Sequence, residues 1–99
     1  MTKKEIKRIQ IKAIMKAVKE NFDMVEDFED FDGQGFFNFA IKAEGKVMCF
    51  EMMRRDFEFV TTVIKGDDNY KLGMELEDQL NSLRDVTLEL LEQETGIPA

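Results

Sequence analysis

Two alternating segments joined by a short turn place the tightest constraint on the fold. Residues 36–43 and 46–53 each alternate apolar side chains with other side chains, and Glu44-Gly45 lies between them. A period of two is typical of half-buried strands, and a two-residue connection ending in Gly is typical of a hairpin. If Ala43 pairs with Lys46, one face collects three apolar pairs: Phe37 with Met52, Phe39 with Phe50, and Ile41 with Met48. A slip of one residue would turn every side chain over, so this register predicts an antiparallel hairpin.

Three further elements follow from local patterns. Residues 57–65 contain a β-branched run after the turn at residues 54–56, which predicts a third strand. Residues 3–21 repeat apolar side chains at helical spacing, and Thr2 with Glu5 matches a capping box. Residues 74–94 predict a second helix that ends at Gly96-Ile97-Pro98. The acidic segment 22–35 ends in glycines and predicts a loop.

These elements predict one α+β domain over residues 1–99, in the order α-β-β-β-α. The expected architecture is a two-layer sandwich, with a three-stranded antiparallel meander covered by two amphipathic helices. The element order resembles that of double-stranded-RNA-binding domains, whose last helix begins with lysines that contact phosphates. Residues 74–78 carry three acids and no base here, so the resemblance does not imply RNA binding.

The residues needed for common catalytic sites are missing. The chain has no His and one Cys, and Ser82 is its one serine, so a Ser-His-Asp or Cys-His arrangement is impossible. The single Cys49 excludes an internal disulfide and a multi-cysteine metal site. The acidic segment also fails as an EF-hand, because setting Gly35 at the sixth position puts Ile41 at the twelfth. We therefore expect no enzyme, no metal and no cofactor.

Charge is distributed in blocks, and this distribution suggests the function. The net charge is -7, yet residues 1–21 carry seven bases and two acids, whereas residues 22–35 carry six acids and no base. Acids on one face of the last helix lie about 6 Å apart along its axis, near the spacing of backbone phosphates. We expect an inhibitor, of the kind phages use against host defences, that mimics nucleic acid and docks on a basic protein surface. The expected binding residues are Asp23, Glu26, Asp27, Glu29, Asp30, Asp32, Glu75, Asp78, Asp85, Glu89 and Glu92.

The alternative is a small homodimeric interaction module, such as a secretion chaperone or a toxin-immunity protein, that binds through its sheet. Its contact residues would be Phe28, Phe31, Ala40, Val47, Cys49, Val60, Thr62 and Ile64. A free apolar sheet face or an unpaired edge strand would carry that interaction.

A basic stripe runs along the first predicted helix and consists of Lys4, Arg8, Lys12 and Lys16. We expect the acidic segments of the same chain to neutralise it, so neither a membrane nor direct nucleic-acid binding is expected. The chain shows no apolar segment of membrane-spanning length and no signal-peptide pattern at its start, so a cytoplasmic location is expected.

Overall fold

The computed structural model describes residues 1–30 and 34–99, which form two helices and four strands. The elements are α1 (Lys3–Asn21), β1 (Asp23–Asp30), β2 (Phe36–Ala43), β3 (Lys46–Met53), β4 (Phe59–Thr61) and α2 (Tyr70–Thr95). The strands form one antiparallel sheet in the order β1-β2-β3-β4. The α+β class is thus confirmed, whereas the expected number of three strands was wrong.

The β2–β3 hairpin has the predicted register throughout. Ala43 pairs with Lys46, and Phe39 pairs with Phe50. Glu44 and Gly45 both adopt positive φ angles, of 52° and 76°. Two successive positive φ values define the type I′ turn, whose twist matches that of the strands it joins.

The segment expected to be a loop contains β1. Residues 23–30 pair with β2, but the register shifts between Met24 and Glu26 and again between Glu26 and Glu29. Each shift inserts an unpaired residue, as in a β-bulge, and interrupts the alternation of apolar and polar side chains. A strand with two such interruptions has no clean period of two, which explains why the sequence pattern predicted a loop. Phe31 and Asp32, which belong to the same predicted segment, lie outside the described residues.

The third predicted strand, residues 57–65, is much shorter as β4. Phe57 has a φ angle of 63°, a left-handed conformation that a strand cannot contain. After Thr61, the backbone N–H of Val63 donates to the Thr61 hydroxyl at 3.2 Å instead of to a neighbouring strand. The strand is therefore limited to Phe59–Thr61.

One face of the sheet and both helices share a single core. α1 contributes Ile14 and Val18, and α2 contributes Leu76 and Leu80. The sheet and its turns contribute the remaining buried core side chains, which are Phe37, Phe39, Ile41, Met48, Phe50, Met52, Phe57 and Phe59. α1 contacts β1, α2 contacts β4, and the two helices contact each other. The helices therefore lie side by side on the same face of the sheet.

Candidate docking surface on the open face of the sheet

The face of the sheet opposite the helices, here called the open face, carries the alternate residues of β2 and β3. Val47 pairs with Lys42, Cys49 pairs with Ala40, and Glu51 pairs with Asn38. Cys49 is exposed, and Val47 exposes 58% of its surface. Ala40 differs, because it exposes only 1% of its surface and lies between the longer side chains paired with it, Glu26 and Cys49. Ala40 thus supports this face without presenting contact area of its own.

The register of β1 sorts its carboxylates between the two faces. Asp23 pairs with Lys42, Glu26 with Ala40, and Glu29 with Asn38, and directly paired residues point to the same side of a sheet. These three acids, here called the acidic row, therefore belong to the open face. In the described part of the chain, none of the three lies within salt-bridge distance of a base.

The other two β1 acids face the helix layer, and each pairs with a base. The Asp27 carboxylate lies 2.9 Å from the Lys19 ammonium of α1. Asp30 forms a salt bridge with Arg54, which follows β3. The hydrogen bond from Lys19 and the backbone N–H of Phe28 lower the pKa of Asp27 below its ordinary value of 3.8. These two acids serve internal contacts, so the described acids of this segment divide into a paired set and the acidic row.

Apolar side chains continue across the open face toward β4. Val60 pairs with Glu51 on the open face and is half-buried. Ile64, also expected as a contact, exposes 75% of its surface but lies beyond the paired residues of β4. The exposed Thr62 donates its hydroxyl hydrogen to the carbonyl oxygen of Cys49 at 3.0 Å. The open face thus has the acidic row along one edge and an apolar area near the other.

Phe28, expected as an apolar contact, belongs to the other side of the sheet. Its ring centroid lies 4.4 Å from that of Phe39, a core residue that is 2% exposed. Phe28 is half-buried and packs against the hydrophobic core. Its contacts are therefore with the protein's own interior.

The expected acids of α2 are exposed but belong to a different layer of the molecule from the acidic row. Glu75, Asp78, Asp85, Glu89 and Glu92 are all exposed. α2 packs with α1 on the face of the sheet opposite the open face, so its acids and the acidic row do not lie on the same face. Asp85 also pairs with Arg84 at 2.8 Å, and Glu92 accepts from the backbone N–H of Ala99 at 2.6 Å.

Side chains of α2 cover the outer edge of β4. The side-chain amide of Asn81 accepts from the N–H of Phe59 at 2.9 Å and donates to the Phe59 carbonyl at 3.1 Å. Glu77 accepts from the N–H of Thr61 at 2.9 Å. β1, at the other edge, is bulged and acidic, which are two features that oppose edge-to-edge pairing. Association through a free strand edge, one form of the alternative function, therefore has little support.

A shallow apolar groove also lies between the two helices. It consists of two adjoining cavities of about 380 Å³ each, which share Asn21, Leu83 and Val86. Lys16, Glu20 and Glu94 line the second cavity. Since these flanking charges have both signs, the groove does not specify the charge of an occupant.

Neither a membrane-spanning helix nor a metal centre is found in residues 1–30 and 34–99. No helix there is both long enough and apolar enough to cross a bilayer. The same residues contain no group of three or more Cys, Asp or Glu side chains positioned around a common metal ion. No protein-family model matches the chain, and no curated protein or solved structure is significantly similar to it.

Proposed function

We propose that this protein is a non-enzymatic binding module that docks through its open sheet face on a basic protein surface. The class of partner that best fits is a nucleic-acid-binding protein, which this module would inhibit by occupying its basic surface. The observation that carries the proposal is the sorting of the β1 acids, because the acidic row lies on the same face as the exposed side chains of Val47 and Cys49.

Charge complementarity supports a basic partner. The open face combines the acidic row with Glu51, against a single base, Lys42. A partner with Lys or Arg side chains opposite these carboxylates would associate rapidly and selectively. The neighbouring apolar area would supply contacts that exclude water, which is the usual setting of strongly contributing interface residues.

The first experiment compares two variants with the same change of net charge. Glu26→Lys with Glu29→Lys reverses two charges of the acidic row, and Glu75→Lys with Asp78→Lys reverses two on α2. Each protein is used to capture partners from nuclease-treated lysate of its source cell or host, at low and high salt. At low salt, we expect a basic protein to bind the wild type and the α2 variant but not the acidic-row variant. At high salt, we expect its binding to the wild type and to the α2 variant to be lost as well.

Cys49 provides an independent readout on the same face. Since it is the one cysteine of the chain and is exposed, a thiol reagent reports directly on coverage of the open face. We expect the captured partner to slow alkylation of Cys49. A matched control places the thiol on the exposed side of α2, in Cys49→Ser with Ser82→Cys, where alkylation should stay fast.

Two outcomes would contradict the proposal. Loss of the partner in the α2 variant alone would assign binding to the helix acids. Recovery of nothing but the protein itself, with sedimentation at twice the monomer mass and Val47→Asp restoring the monomer, would assign the open face to a homodimer. Repulsion between two acidic rows disfavours that second arrangement unless the copies offset them.

A further inference from the structure

A cavity lined entirely by bases lies at the start of α1. Its volume is about 290 Å³, and its lining residues are Lys4, Lys7, Arg8 and Arg54. Three of these bases come from the first turns of α1, and the fourth follows β3, so the tertiary structure brings together positions that are far apart in the chain. Four positive side chains around one cavity repel each other unless a negative group lies among them.

Two of the four bases are held in place by the fold. The Lys7 ammonium donates to the carbonyl oxygen of Arg55 at 3.0 Å and lies 5.7 Å from the centroid of the Phe57 ring. The Arg54 guanidinium lies 4.4 Å from the centroid of the Phe37 ring and pairs with Asp30. Because these contacts fix the lysine and the arginine at the cavity wall, a ligand would bind without having to order them first.

The remaining two bases have no acidic partner in the described part of the chain. Lys4 and Arg8 are exposed, and no carboxylate of residues 1–30 or 34–99 lies within salt-bridge distance of either. No salt bridge between the acidic segments and the basic stripe is found in the described part of the chain. Of the four stripe bases, Lys16 alone forms a salt bridge there, with Glu20 of the same helix, while Asp27 pairs with Lys19, which is not one of the four. At the cavity itself, Asp30 is the one described carboxylate that pairs with a lining residue.

Helix stability does not account for Lys4, the one cavity base in the first turn of α1. The positive end of the helix dipole disfavours cations in the first turn, where acids are normally stabilising. Lys3 and Lys4 nevertheless open α1, and Glu5 is the one acid of its first turn. Lys4 thus costs the isolated helix stability, which favours a role in binding.

We propose that this cavity binds a phosphate dianion, either free or as the monoester of a small molecule. Arg guanidinium and Lys ammonium groups form strong charge-assisted hydrogen bonds with phosphate oxygens. Arg8 and Lys4, which pair with no described carboxylate, supply the donors, while Lys7 and Arg54 add positive potential from fixed positions. The site lies apart from the open face and is independent of the proposed function.

The test is a titration of the full-length protein with inorganic phosphate and, separately, with glycerol phosphate, at constant ionic strength set with chloride. Binding is followed by NMR shifts of backbone amides and of the arginine side chains. We expect saturable shifts at Lys4, Arg8 and Arg54. Tighter binding of glycerol phosphate would identify a monoester as the ligand, and equal or weaker binding would identify free phosphate.

Matched variants separate a built site from general attraction. Arg8→Gln and Lys4→Gln each remove one charge from the cavity. Lys12→Gln removes one charge from an exposed position of the same helix that does not line the cavity. We expect about tenfold weaker binding for Arg8→Gln and Lys4→Gln, and less than about twofold for Lys12→Gln. Shifts that rise linearly without saturation, or equal weakening in all three variants with unchanged melting temperatures, would overturn the proposal.

Discussion

At the scale of single residues, Glu44 occupies a backbone conformation that suits it poorly. It is the first residue of the β2–β3 turn and has a φ angle of 52°, in the left-handed region. Asn tolerates this region better than Glu, and Asn-Gly is the preferred pair for such a turn. We expect Glu44→Asn to raise the free energy of unfolding by about 0.5–1 kcal/mol in chemical denaturation. Gly45→Ala is the opposing control and should lower it, because Gly45 also has a positive φ angle.

The ionisation of Asp27 makes the stability of the folded protein depend on pH. Its pKa is lowered in the folded protein, first by the Lys19 hydrogen bond and then by the N–H of Phe28. The folded state therefore favours the ionised carboxylate, and this stabilisation is complete above the ordinary pKa of 3.8 and is lost as the pH falls through the lower, folded-state pKa. We expect Lys19→Gln to move the Asp27 pKa upward, toward its ordinary value, in an NMR titration. Lys12→Gln should leave it unchanged, and an equal rise in both variants would contradict the specific contact.

At the scale of elements, the Asn81 amide attaches α2 to the edge of β4. It satisfies both the N–H and the carbonyl of Phe59, and Arg84 donates to its oxygen at 3.0 Å. Leu has a similar size but cannot make these bonds, and it would leave two half-buried backbone groups unsatisfied. We expect Asn81→Leu to lower the free energy of unfolding by about 1–3 kcal/mol.

The control for Asn81 lies two residues earlier on the same helix. Gln79 is exposed, and Gln79→Leu should change the free energy of unfolding by no more than about 0.5 kcal/mol. Both variants are compared by urea denaturation. Equal stability of Asn81→Leu and Gln79→Leu would show that water replaces the amide at the strand edge without cost.

At the scale of the whole molecule, the sheet separates a packed face from the open face. Val47 and Met48 are neighbours in β3, yet Val47 is exposed and Met48 is 3% exposed. We expect Val47→Lys to change the free energy of unfolding by no more than about 0.5 kcal/mol. Met48→Lys should cost more than about 4 kcal/mol or prevent folding, because it buries an unpaired charge. Similar melting curves for the two variants would contradict this division of the sheet.

The net charge of -7 is unevenly placed on this architecture. The acidic row lies on the open face at one edge of the sheet, the acids of α2 belong to the helix layer, and α1 with its bases contacts β1. A count of charges along the chain groups the acids of residues 22–35 together. Among the described residues, the fold separates them into carboxylates that pair with Lys19 and Arg54 and carboxylates that lie on the open face.

The sequence by itself determined the elements whose patterns are local. The β2–β3 register, the span of α1 and the end of α2 at Gly96 all follow from periodicity, capping and turn residues within a few positions. α2 begins at Tyr70, four residues before its predicted start, so Gly73 lies inside the helix. A Cβ atom at Gly73 would lie 2.9 Å from the Thr61 hydroxyl oxygen, so the glycine permits close packing and does not end the helix.

Only the tertiary structure decided the pairing of β1 and the surfaces of the protein. β1 forms because β2 offers an edge to which its backbone can hydrogen-bond. Its two bulges interrupt the alternation of apolar and polar side chains by which a strand is recognised in a sequence. The acidic row depends on the same two bulges, since they turn three carboxylates of β1 to one face of the sheet. The basic cavity combines side chains from two segments that the fold brings together, α1 and the residue after β3. Local spacing can specify a helix or a hairpin, but long-range contacts decide which charges face each other, face the core or face a partner.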